Sequence, residues 1–263
     1  MKNKQIIIIV LAILFLTGSL FSQYSYFYGK NKVKKRDFKW KVAETEHFNI
    51  HYYTENEALI RKIAVKAEKA YTKISLYLSV NAHKKIPIIY YNTHIDFEMT
   101  NLFPGFMPLG IQAFAEPIGH RVVMHGDMPF EDFSKTLTHE LGHIFEYLVW
   151  YGKTTRRMMM FSRQPLWVAE GFSEFVSTKL EGFEKITVID NVVNDKIPEL
   201  SKSTNMQAYT NRTPYDFGLV MYEFIDEKWG PQGVKKVLNF YKSGSFFRFR
   251  LNAKGRFFKL FGT

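Results

Sequence analysis

The stretch that most restricts this chain runs over residues 131–151, where apolar side chains recur at helical spacing around two histidines. Leu137, Leu141, Ile144, Phe145 and Leu148 mark the buried face of an amphipathic helix. Glu131 and Asp132 fall in its first turn, where the helix dipole favours acids. His139 and His143 stand four residues apart, so a helix presents both imidazoles on one face, one turn apart. Glu140 projects from the adjoining face. Two imidazoles so placed grip a single metal ion through one nitrogen each, and the carboxylate between them reaches a water on that ion.

A catalytic zinc takes three protein ligands and keeps a fourth position open. A third histidine on the same stretch, in the pattern H-E-x-x-H-x-x-G-x-x-H, is excluded, because Glu146 and Val149 occupy the glycine and histidine positions. The third ligand must come from elsewhere. Residues 165–175 read Pro-Leu-Trp-Val-Ala-Glu-Gly-Phe-Ser-Glu-Phe and open a second helix, expected over about 166–180, with Pro165 at or before its first turn. This helix carries Glu170 and Glu174 four apart among Leu166, Trp167, Val168, Phe172 and Phe175. Carboxylates in such apolar company are costly without partners. One binds the ion, and the other hydrogen-bonds a ligating histidine and fixes its tautomer. Gly142 is expected to let a neighbouring strand or the substrate approach the first helix.

The remaining pattern is mixed. Residues 48–53 and 86–91 and the short run 121–124 read as strands, and residues 58–78 carry apolar side chains at helical spacing. A Pro- and Gly-containing loop is expected over about 103–119, and an irregular segment between the second zinc-motif helix and Pro214. Residues 215–240 read as helix broken at Gly230-Pro231. The order implies an α+β fold, with a mixed α/β first half, a central H-E-x-x-H helix and a mostly helical second half.

With no cysteine, the chain has no disulfide, thiol nucleophile or Cys-type metal site. Lys2 and Lys4 precede an apolar run over residues 6–16, shorter than the roughly 20 residues of a spanning helix. Residues 1–22 are read as a signal peptide, cut after Ser22, or as an uncleaved N-terminal anchor. Either implies export to a periplasmic, extracellular or membrane-anchored location. Residues 23–39 form a basic linker with Lys30, Lys32, Lys34, Lys35 and Arg36, which beside an apolar segment suits a membrane surface rather than nucleic acid. The net charge of +11 otherwise reads as lysines spread over solvated faces.

The sequence HELGH followed by PLWVAEGFSEF resembles the gluzincin pattern of the peptidase MA clan, in which HExxH is followed by WxxEG. HFNIHYY, KIPIIYYNTHIDFEMTN, AFAEPIGHRVVM and YDFGLVMYEFIDEKWG extend the likeness to the peptidase MA-like domain that precedes TolB-like β-propellers in certain exported bacterial proteins. The resemblance runs from about Trp40 onward and implies a zincin-like fold over residues 40–263. It implies zinc held by His139, His143 and Glu170, with Glu140 as the catalytic acid/base and Glu174 as an acid supporting a ligating histidine. The implied activity is hydrolysis of a peptide or protein substrate by a metal-activated water. Related enzymes stabilise the oxyanion with a Tyr or His from the helical half. Tyr215 is the candidate, and Tyr209 and Tyr222 are its rivals. The segment around Arg121–Met124 is the expected edge strand for a substrate. A zinc-bearing binding module at the cell envelope, without proteolysis, is the alternative function.

Overall fold

A computed structural model describes residues 36–102, 107–152, 164–179, 182–197 and 212–242. The N-terminal apolar segment, the basic run before Arg36 and Tyr209 lie outside the described residues. The chain divides into two compact units, Phe38–Phe97 with Pro108–Thr263, and Met1–Asp37 with Glu98–Met107. In the smaller unit the Thr100 hydroxyl accepts from the Leu102 N–H at 3.3 Å. Among the described residues no helix is long and apolar enough to cross a membrane.

The larger unit is α+β. Its elements are β1 (Lys41–Glu44), β2 (Phe48–Tyr52), α1 (Glu57–Leu78), β3 (Ile86–Tyr91), α2 (His94–Phe97), β4 (Ala113–Glu116), β5 (Arg121–His125), α3 (Phe130–Tyr151), α4 (Leu166–Ser177), α5 (Gly182–Val193) and α6 (Thr213–Phe240). The five strands form one sheet in the order β1-β2-β3-β5-β4. The three inner strands run parallel, with Phe48 opposite Ile86 and Ile88 opposite Val122. The outer strands β1 and β4 run antiparallel to their neighbours. Parallel strands need a crossover connection, and α1 supplies it between β2 and β3.

Side-chain alternation fixes the sheet's buried face. Phe48, Ile50 and Tyr52 on β2 are buried, as are Ile86, Ile88 and Tyr90 on β3. Onto them pack Ile60, Ile63, Ala67, Tyr71 and Ile74 of α1 and Leu137, Leu141, Ile144 and Phe145 of α3, in one continuous core. The α1 start is fixed by Asn56, whose side chain accepts from the Leu59 N–H at 3.1 Å. Its end is fixed by Ser79 in the left-handed conformation.

The second half is helical, and two close crossings hold it to α3. A Cβ added at Gly142 would lie 2.9 Å from the Ser173 Cα, so α3 and α4 touch nearly backbone to backbone. The close neighbour of Gly142 is therefore helix α4, not the strand or substrate expected from sequence. A Cβ at Gly171 would lie 2.5 Å from the Gly218 Cα, and the same holds in reverse, which brings α4 equally near α6. The Tyr222 hydroxyl donates to the Val168 carbonyl at 3.1 Å and the Trp150 indole to the Leu238 carbonyl at 3.0 Å, tying α6 to α4 and α3. At Gly230 the backbone of α6 turns out of helical geometry (φ 61°) ahead of Pro231, as the Gly-Pro pair predicts.

The sheet corrects one reading. The strand at Arg121–His125 is not an edge, because β3 and β4 flank it; the edge on that side is β4, which falls inside the expected loop. Helix α5 likewise stands where an irregular segment was expected.

The Gly171–Gly218 crossing makes a stability prediction. Gly171→Ala forces backbone apart and is expected to cost about 1–3 kcal/mol. Gly110→Ala, with open space at its Cβ, should stay within about 0.5 kcal/mol of wild type. Denaturant unfolding midpoints of the two variants check this.

Candidate metal centre

Helix α3 presents His139 and His143 on one face with ring centroids 4.9 Å apart and planes nearly perpendicular, at 84°. Across the Gly142–Ser173 contact, α4 brings up Glu170. Its Oε2 lies 3.4 Å from His139 Nε2 and 3.4 Å from His143 Nε2. Among the described residues this is the one group of three or more such side chains whose donor atoms converge, all within 4.8 Å of one another.

The spacing is a test of metal fit. Donors about 2.0–2.1 Å from a tetrahedral zinc stand roughly 3.3–3.4 Å from one another. The two nitrogen-to-oxygen distances match that edge. Two imidazoles and a carboxylate are also a donor set that zinc accepts, with a fourth position left for a small ligand.

The opposite ring nitrogens have partners too. His143 Nδ1 is 2.9 Å from Glu146 Oε2 and 3.0 Å from Ser173 Oγ. His139 Nδ1 faces Glu174 Oε1 at 3.6 Å, so the acid expected to support an imidazole stands beside His139. Glu174 Oε1 also accepts from Arg212 Nη2 at 2.7 Å, and the Arg212 guanidinium lies 5.0 Å from the Tyr215 ring centroid. An acid behind an imidazole orients the ring and strengthens its donor nitrogen.

Sequence reasoning missed Glu146 and Arg212. Glu146 had served only to exclude a pattern, although a carboxylate in the run Ile-Phe-Glu-Tyr-Leu-Val-Trp is conspicuous without a partner. It is fully buried, and His143 is the partner. Nothing in the sequence linked Arg212 to Glu174.

The charges of the cluster perturb one another. Burial acts to raise the Glu170 carboxyl, but the His143 charge and hydrogen bonds from both imidazoles outweigh it and hold the group well below the usual carboxylate range. Burial acts to lower His143, yet the Glu170 charge and the bonds to Glu146 and Glu170 raise it well above an ordinary imidazole. Glu146 is pushed up to about 8, chiefly by burial, against the pull of His143. A proton at His143 thus answers the negative charge that a metal ion would answer.

Glu140 is buried beside the cluster. Burial raises its carboxyl above the ordinary value, the two imidazoles draw it back, and Glu170 adds to the rise. The backbone N–H of Ala115 on β4 also draws it back. Tyr215, in the first turn of α6, is half-buried, with its ring stacked on His139 at 6.1 Å and 18°. Burial and the neighbouring Glu170 charge hold its hydroxyl protonated far above the usual tyrosine range. Tyr222, its rival, is fully buried and commits its hydroxyl to Val168. A scan against models of known protein families and a search of curated proteins both returned no match.

The raised His143 sets a pH dependence. A metal ligand must be deprotonated, so an entering ion displaces the His143 proton at every pH below that group's raised pKa. Zinc affinity is therefore expected to fall on acidification by roughly tenfold per pH unit near neutrality. Competition titration against a chromophoric chelator between about pH 6 and 8 measures it, and a flat profile contradicts the account.

Proposed function

We propose that this chain is a zinc-dependent peptidase with a zincin-like fold, of the gluzincin kind and similar to peptidase MA-like domains. The observation that carries the proposal is the equal 3.4 Å approach of both imidazole Nε2 atoms to one oxygen of Glu170, with Glu140 buried alongside. In this reading His139, His143 and Glu170 hold the ion. Bound there, zinc supplies Lewis acidity toward a carbonyl oxygen and a lowered pKa for a coordinated water.

The residues of the chain do the rest. Glu140 takes a proton from the water that attacks the scissile carbonyl carbon, and returns it to the amine nitrogen as the C–N bond breaks. A carboxyl raised by burial suits both halves of that exchange. Tyr215, held protonated against His139, donates its hydroxyl hydrogen to the negative charge that develops on the carbonyl oxygen. Glu174 and Glu146 keep the two imidazoles in the tautomers that offer Nε2 to the ion.

A polypeptide substrate would add to β4, the edge strand nearest α3. The backbone of Ala115 there faces Glu140 and the Tyr147 hydroxyl, the latter at 3.5 Å from its carbonyl. Strand alternation turns the backbone of Ala113 toward the same side, where it can pair with an incoming chain. Export and membrane association, through the N-terminal apolar segment and the basic run 30–36, belong to the same proposal.

Glu140→Gln separates metal binding from chemistry. The variant should hold zinc at the wild-type ratio while losing at least about a thousandfold in turnover of a peptide library. Wild-type turnover in Glu140→Gln rules the mechanism out, and chelator-insensitive cleavage by the native chain rules out the metal.

A further inference from the structure

A cleft of about 450 Å³ opens between α1, the first turns of α3 and the end of α4, and the proposed chemistry makes no use of it. Lys66, Lys69 and Lys73 line it from α1 and Lys135 from α3, against a single acid, Glu131. Lys66, Lys69 and Lys73 follow at three- and four-residue spacing, so they stand along one face of α1 over about 10 Å.

Of these charges, the three on α1 have no carboxylate counterweight among the described residues. Glu131 is 3.5 Å from Lys135. Among the described residues no carboxylate lies within ion-pair distance of Lys66, Lys69 or Lys73. Lys73 is drawn inward, donating to the Val176 carbonyl at 2.8 Å. Burial, and then the nearby Lys179 ammonium, hold it below the ordinary lysine value. Like charges one turn apart weaken a helix. The fold therefore bears a repulsion that a bound anion would relieve.

The walls narrow the choice of anion. They are helix sides and ends with no strand edge among them, so a peptide finds no ladder to join. The Ser134, Thr138 and Ser177 hydroxyls donate to carbonyls of their own helices, which leaves the ammonium groups as the side-chain donors. Lysines act as unshaped point charges and are established phosphate binders. We propose that this cleft binds a compact ligand carrying two or more phosphate groups, either a soluble phosphorylated molecule or a phospholipid headgroup. The proposal does not rest on the metal centre.

Calorimetric titration of the full chain with fructose 1,6-bisphosphate tests it. Saturable one-to-one binding is expected, weakened at least about tenfold in the Lys66→Gln/Lys69→Gln double variant and by less than about twofold in Lys185→Gln on α5. Both cleft lysines are exposed, so the double variant should keep the wild-type melting temperature. Cardiolipin vesicles, whose headgroup carries two phosphates, that bind the native chain, release it to the bisphosphate and fail to bind the double variant identify a headgroup. Bisphosphate binding without vesicle capture identifies a soluble ligand. The proposal is overturned by the absence of saturable bisphosphate binding, by an equal loss in Lys185→Gln, or by preference for a polyglutamate peptide.

Discussion

The contact on which the site depends is the close crossing of α3 and α4. Glu170 reaches both imidazoles only because Gly142 lets the Ser173 backbone come within what would be 2.9 Å of a Cβ. Any larger side chain at 142 would push α4 outward and pull Glu170 Oε2 away from its 3.4 Å positions. The crossing at Gly171 and Gly218 repeats the device on the other side of α4 and brings Tyr215 and Arg212 against the same cluster. Two backbone approaches therefore position side chains from three helices.

Around that geometry the charges are layered. Glu170 faces the imidazoles from one side, and Glu146 and Glu174 stand behind them. Burying acids beside histidines with no cation would be costly, because desolvation disfavours each charge separately. The raised His143 and the depressed Glu170 are the two sides of one buried pairing of charges. The proposed zinc answers the negative charge with a single ion.

Much of this was legible in the sequence, for identifiable reasons. His139, Glu140 and His143 announce themselves by helical spacing, and α1, α3 and β3 by clean periodicity. Glu170 and Glu174 were visible as acids in apolar company. What escaped depends on tertiary pairing. The four residues of β4 carry too little alternation to stand out, and only pairing with β5 makes them a strand. The alternation of β5 is readable in the sequence but its neighbours are not, so whether it lies inside the sheet or at its edge is not. Glu146 stands three residues after His143 on one helix, a spacing the sequence shows, whereas Arg212 meets Glu174 only through packing.

Zinc content is the measurement closest to the central claim. The purified chain, expressed with zinc and dialysed free of loose metal, should carry about one zinc per molecule by inductively coupled plasma mass spectrometry, and His139→Ala should carry essentially none. Equal metal content in the two proteins, or none in either, would contradict the account.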